Sequence, residues 1–537
     1  MEKGNKKKRP LKLIARDYFN YLGRHLPQQC ASDEFYFLPR SEGAIQNLHL
    51  LDDLAPEKIQ GHLAYVQDLL REISAEERAD LEEEIDRLML KQSMGSFIRE
   101  FKDREVWRND PTLYVKIPLF ATEQVISQRD LIPEQLKEKF SLLFDQIPSS
   151  LSLALKTLLF PSEIALKVAI NITEDAIHFY DRDIRGLIEE RIGRNRELLA
   201  KIKRVLEAWE RYKRALLQRP LRDSFAIGED GLNKILVSLS YPKSPGEILE
   251  IARYARQKTQ DRLCELAGKI DTRKAWTHII YEGLPAPSPL GDVLRLYREE
   301  VEKLRCFFDS QDIMSFPPGE KVIVLETPSY LQSLRATASY KAPLTGRNKG
   351  YGQFYITPGK EDLELISRHS PYLSAHETYP GHHILDHIRI HHSNPIRRQI
   401  ESPLFYEGWA CYTEQLLDEL GYVRNPRQQL IGLKRQLWRS IRAELDVRLQ
   451  IGEITLDRAA EKIEALGFSP QRAERQVRRF CLTPGYQLCY FMGSHEIISL
   501  RGQFSSKMGI KHFHDTLLGG GEIPSHLVER RLEASLD

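Results

Sequence analysis

The chain has 537 residues, 41% of them apolar, and its 78 Lys and Arg stand against 76 Asp and Glu for a formal net charge of +2. That balance excludes a disordered polyelectrolyte, and 31 Gly with 28 Pro exclude collagen-like and low-complexity chains. No global field points to nucleic acid or an anionic membrane as the main partner, so function must come from a local site.

In chain order, the basic start MEKGNKKKRP is followed by LKLIARDYFNYLGRHL, whose regularly placed charges exclude the apolar core of a secretory signal. The Lys/Arg cluster at positions 3 to 9 reads as a solvated tail. From Pro56 to Trp276 apolar residues recur at spacings of three and four, which predicts helix after helix. Ser74 with Glu77, and Pro161 with Ser162, read as helix starts. The Pro-rich break GLPAPSPLGD at 283 to 292 suggests a helical lobe over 1–285 and a second lobe over 286–537, interleaved with it. Strand signals follow in KVIVLETP at 321 to 328 and GQFYITP at 352 to 358, separated by SYKAPLTGRNKGYG, which reads as an exposed loop. From about Glu361 the pattern is helical again, so the expected fold class is mainly α with a small β-ribbon in the C-terminal half. Six scattered cysteines without a C-x-x-C pair suit a reducing compartment, and no stretch approaches the roughly 18 apolar residues of a membrane span. A soluble, cytoplasmic protein is expected.

Six of the sixteen histidines fall between 376 and 392, in SAHETYPGHHILDHIRIHH. A zinc peptidase helix reads H-E-x-x-H, because residues four apart share a face and two imidazoles can converge on one ion with the Glu aimed at its water. Here Pro380 occupies the second histidine's place, and with Gly381 it should break the helix. On a regular helix of about 100° per residue His383 would align with His376. If Pro380 and Gly381 are looped out instead, His382 returns to the ligand position; His382 is preferred and His383 is the alternative. His387, His391 and His392 read as a solvated face. The third ligand is expected from LFYEGWACYTEQLLDEL, where Glu407 leads a face continuing through Cys411 and Glu414. A carboxylate among such apolar neighbours needs a cation, or an arginine, to satisfy it.

At these residues the sequence resembles a known family. HETYPGHH followed by YEGWACYTE is similar to the paired motifs of the DUF885 family, regarded as zinc metallopeptidases related to gluzincins. WRNDPTLYV at 107 to 115 and LTPGYQLCYFMGSHEIISLR at 482 to 501 are weaker matches. The resemblance implies an elongated multi-helix fold in the style of neurolysin and the carboxypeptidases, with His376, His382 and Glu407 as metal ligands and Glu377 as the base. The late helix departs from the family pattern with Tyr486 and Gln487 where Gln and Ala are expected. Gln450 stands where many relatives place a His.

With zinc as cofactor, amide hydrolysis of a peptide is the natural chemistry, Glu377 taking the water's proton and returning it to the leaving amine. Tyr490 is the candidate donor to the oxyanion. Asp446 and Glu414 are candidate orienters of the imidazoles. Tyr355 on the GQFYITP strand is a candidate groove residue, and Arg501 pairs either with a substrate carboxylate or with an acid on a neighbouring helix. Two other readings compete: a noncatalytic peptide-binding scaffold, and a metal hydrolase of a non-peptide amide.

Overall fold

The computed structural model describes residues 9–73, 80–128, 130–287, 289–332, 335–343, 351–359 and 363–536. The N-terminal basic cluster up to residue 8, the Ser74 helix start and residues 344–350 of the proposed loop lie outside that set. Helix makes up 71% and strand 3%, so the fold is mainly α.

The described residues divide into two units. One takes those up to Ser224 together with Ser393–Ile400, and the other takes the remainder from Phe225 onward. The boundary therefore falls some sixty residues before the Pro-rich break, which turns out to be an ordinary connection ahead of the Leu290–Gln311 helix. The reason is long-range: the Pro245–Ile270 helix, opened by a Ser244 and Glu247 capping box, packs its Ile248, Leu249 and Ala252 against Ala443 and Val447 of the Pro426–Gln450 helix.

In the first unit Ser162 caps Glu163–His178 by accepting from the Ala165 amide at 3.2 Å, as its position predicts. WRNDPTLYV serves structure here. Asp110 caps the Pro111–Ser127 helix with Pro111 in its first turn, while the Trp107 indole donates to the Phe101 carbonyl at 2.9 Å and Tyr114 donates to that of Trp107 at 2.7 Å. The returning segment Ser393–Ile400 is tied in by Arg397, fully buried, against Asp86 at 2.8 Å.

In the second unit β1 (Val322–Glu326), β2 (Ala338–Lys341) and β3 (Gly352–Ile356) form a mixed sheet in the order β1-β3-β2, with β1 parallel and β2 antiparallel to β3. The start of the expected loop is thus a strand, in which Ala338 and Tyr340 are buried while Ser339 and Lys341 are half-buried. That period-two pattern is too short to stand out by itself, and pairing with β3 decides it. Phe354 of β3 packs edge-on against Tyr297 of the Leu290–Gln311 helix at 5.4 Å.

Candidate metal centre

The first histidine helix, Ser370–Glu377, stops three residues before Pro380, and the next begins at His382 and runs to Ile390. The interruption is therefore Thr378–Gly381, four residues where a two-residue loop was expected. Thr378 closes the first helix through its amide and hydroxyl, both donating to the Ser374 carbonyl. The Gly381 amide reaches back to the Ala375 carbonyl at 3.0 Å, and the Trp409 indole donates to that of Pro380 at 2.8 Å. Only glycine fits at 381, since a methyl there would lie 1.9 Å from the His376 carbonyl oxygen.

This hairpin of helices turns the His382 ring onto His376, with centroids 4.7 Å apart and planes at 84°. The alternative, His383, faces away: its Nε2 lies 3.3 Å from Glu320 and its Nδ1 3.3 Å from the Tyr340 hydroxyl. Glu320 also receives Arg305 at 2.9 Å and the Tyr379 hydroxyl. Burial opposes its charge, yet these donors hold its pKa below the ordinary carboxylate value. His391 bonds the His387 carbonyl, and His392 that of Gly519, so neither joins the centre.

The third side chain comes from the Pro403–Glu419 helix. It can lie so close to its neighbour Cys489–Met508 because Gly408 and Gly493 meet at the crossing, where a methyl on Gly493 would sit 1.8 Å from the Leu404 carbonyl oxygen. Glu407 Oε2 is 3.6 Å from Nε2 of His376 and 3.6 Å from Nε2 of His382. The ligand atoms of His376, His382 and Glu407, all buried, lie within 4.8 Å of one another. Two ligands each about 2.1 Å from a tetrahedral ion stand roughly 3.4 Å apart, close to the 3.6 Å that separates Glu407 Oε2 from each imidazole nitrogen, so a divalent cation of zinc size could be held between them. Glu407 Oε2 has no hydrogen-bond partner among the described residues although it is buried, which is the unmet demand such a cation would satisfy.

The surroundings hold these groups in place. Glu414, two turns after Glu407, sits with Oε1 2.9 Å from Nδ1 of His376 and receives Arg435 at 2.6 and 2.7 Å, with Arg439 as a further donor. Burial would raise the pKa of Glu414, but the two guanidinium groups keep it well below the usual range. Glu414, one of the two candidate orienters, therefore lies beside the His376 ring. Asp446 is a different kind of support: its carboxylate accepts the Gly485 and Leu488 amides at 3.1 Å each, fixing the turn before Cys489, and burial pushes its pKa up to about 7. That turn delivers Tyr486, whose hydroxyl donates to Glu407 Oε1 at 2.7 Å. Tyr406 stacks on His382 at 4.0 Å.

Tyr490 lies parallel to His376, 6.4 Å between centroids and 5° between planes, and its hydroxyl also faces Glu407. Burial and that carboxylate push its pKa up, which keeps it protonated. Glu377 is buried and makes no hydrogen bond with a described residue. The other two candidates are engaged elsewhere. Tyr355 donates to Gln353 on its own strand at 2.8 Å, and Arg501 donates to Glu419 at 2.6 Å, the neighbouring-helix acid. Gln450 is fully buried and donates to the Phe480 carbonyl. Sequence reasoning missed Tyr486, Arg435, Arg439 and Glu320. The arginines left a signal, two like charges four apart on one predicted helix, whereas Glu320 left none.

No described helix is long and apolar enough to cross a membrane. No curated protein matches the chain. Two solved structures share the fold: one described as a "putative lipoprotein of unknown function" from Shewanella oneidensis, at 18% identity and TM-score 0.76 over 97% of this chain and 99% of that one. The other, described as a "putative lipoprotein" from Colwellia psychrerythraea, has 18% identity and TM-score 0.80 over 98% of this chain and 99% of its own. The sequence pattern described as "Bacterial protein of unknown function (DUF885)" matches residues 41–532, and the chain therefore belongs to the DUF885 family.

Proposed function

We propose that the protein is a zinc-dependent peptidase in which His376, His382 and Glu407 hold the ion and Glu377 is the general base. One observation carries this reading: a buried carboxylate oxygen without a hydrogen bond faces two imidazole nitrogens at 3.6 Å each, with a second buried acid next in sequence to one of those histidines. Bound zinc would supply a Lewis acid and bring the pKa of a water to roughly 7.

The chain's own groups do the rest. Glu414, braced by Arg435, favours a proton on Nδ1 of His376 and so turns the Nε2 lone pair toward Glu407. Tyr486 satisfies Oε1 of Glu407 and leaves Oε2 as the ligand atom. Glu377 takes a proton from the attacking water and returns it to the amine nitrogen as the amide C–N bond breaks. Tyr490, kept protonated, donates to the oxygen that becomes negative on the substrate carbonyl. Short peptides are the proposed substrates. Six unpaired cysteines suit a reducing compartment, while "lipoprotein" belongs to the descriptions of the two neighbours alone.

The test is metal analysis by mass spectrometry alongside peptide and non-peptide amide libraries. Wild type should carry one zinc per chain and cleave peptides, and Glu377→Gln should retain zinc while turnover falls by about 10²- to 10⁴-fold. A Glu377→Gln protein that turns over at the wild-type rate would refute the assignment, and a chain that binds peptides without ever cleaving them is a scaffold.

A further inference from the structure

The Pro426–Gln450 helix sends Arg442 to the Tyr490 ring, with the guanidinium carbon 3.6 Å from the ring centroid. Tyr490 in turn lies parallel to His376. Arg442 is therefore one aromatic ring removed from the candidate ligands. It is half-buried, and among the described residues it has no acidic partner, in contrast to Arg435 and Arg439 on the same helix. Its Nε is buried without a hydrogen bond. Its position is nevertheless fixed: one terminal nitrogen donates to Gln487 Oε1, and Gln487, fully buried, is itself held by its Nε2 donating to Thr483 at 3.1 Å.

An arginine that is stacked and clamped beside a proposed catalytic centre, and that interacts with Asp446 one turn on without forming an ion pair with it, is open to an anion from outside the chain. A planar guanidinium suits a carboxylate in particular, since two parallel N–H···O bonds match its fork. A second cation without an acidic partner among the described residues, Lys434, lies two turns back on the same helix with Trp438 between them, and the Arg442 guanidinium also lies 5.8 Å from the Trp438 ring.

We propose that Arg442 is the substrate-carboxylate anchor, so that the preferred substrates are peptides bearing a carboxylate close to the scissile bond. The role that Arg501 could have filled is thereby given to Arg442. This inference rests on the peptidase reading for the word substrate, though carboxylate binding itself does not require turnover. The carboxylate can be the peptide's C-terminus or an acidic side chain.

The test uses the full chain with zinc and three probes: Ala-Phe-Ala, its C-terminal amide, and Ala-Phe-Glu amide. Binding is read by calorimetry on Glu377→Gln protein, and kcat and KM are read on the protein with Glu377 intact. A carboxylate probe should bind about 10- to 100-fold more tightly than Ala-Phe-Ala amide, the range of a charge-assisted hydrogen-bonded pair. Preference for Ala-Phe-Ala assigns the C-terminus, and preference for Ala-Phe-Glu amide assigns the side chain. Arg442→Met should erase the preference chiefly through KM, Arg442→Lys should keep part of it, and Gln487→Ala should weaken it, while Arg501→Met leaves it intact. Should Arg442→Met fold poorly by circular dichroism, the Lys and Gln487→Ala variants carry the comparison. Equal binding of all three probes, or a preference that survives Arg442→Met, overturns the anchor. Turnover without preference would leave the peptidase reading standing. Preference without any turnover would remove the peptidase reading and leave the anchor.

Discussion

The helix crossing at Gly408 and Gly493 makes a prediction in which one substitution type has opposite signs at two places on one helix. A methyl at Gly493 would lie 1.8 Å from the Leu404 carbonyl oxygen and 2.8 Å from Gly408 Cα, all backbone atoms that no side-chain rotation can move. Carbon and oxygen without a bond approach to about 3.3 Å, so the two helices must part by more than an ångström locally. Overpacking of this kind costs about 1–3 kcal/mol, and more where backbone has to shift. Gly502, two and a half turns further along, has nothing within 4 Å of an added methyl, and there alanine should gain up to about 1 kcal/mol of helix propensity. In a unit of this size about 1 kcal/mol moves the melting point by roughly 2–4 °C. Gly493→Ala should therefore melt roughly 2–12 °C below wild type, and Gly502→Ala at or slightly above it, both followed by circular dichroism. Since Gly408 adjoins Glu407 and Gly493 is three residues from Tyr490, Gly493→Ala should also weaken zinc uptake. If it melts with wild type and takes up zinc equally well, the close crossing does not position Glu407.

Tyr486→Phe removes the donor to Oε1 of Glu407 and leaves that oxygen without its bond, so zinc affinity measured by competition with a chelator should fall about 10- to 100-fold with little change in melting; unchanged affinity would count against the contact. Burial alone holds the Lys434 pKa down to about 8 from 10.5, so its penalty is complete below pH 8 and shrinks as pH rises toward 10.5, where the unfolded chain binds the extra proton. Wild type should accordingly gain stability relative to Lys434→Met across that window, by at most about 1.4 kcal/mol per pH unit, and a pH-independent difference in urea midpoints would show that the buried ammonium is not responsible.

The features legible in the sequence were those with a local cause. Ser162 is a cap because a hydroxyl meets an amide three residues later, and the histidine and Glu407 segments carry their spacing on their face. Pro380 and Gly381 announced a broken helix, but not that the break would begin at Thr378, because its extent depends on the Trp409 indole holding the Pro380 carbonyl from another helix. The Pro-rich break and the limit of the compact units differ for the same reason: Pro and Gly mark where a chain turns, whereas a unit is defined by what its helices pack upon. Arg501 could be assigned to substrate or to a neighbour on sequence grounds alike, and only the nearness of Glu419 separates the two.

What these cases share is visible on the Pro426–Gln450 helix. Arg435, Arg439, Arg442, Asp446 and Gln450 follow at spacings of four, three, four and four, which gives a single polar stripe along a helix that also buries Leu437, Leu445 and Val447. Its first two arginines hold Glu414, Arg442 stacks on Tyr490, Asp446 holds the Gly485 and Leu488 amides, and Gln450 holds the Phe480 carbonyl. One helix thus sets the position of His376 through Glu414, and of Tyr486 through its turn, though it contributes no member of the triad. A buried polar stripe is tolerable only where each group finds a partner, and here all five find a hydrogen-bond partner within the fold, Arg442 on Gln487. Arg442 is the one arginine of the stripe that forms no ion pair with an acid among the described residues, and that is what makes it the place to look for a ligand.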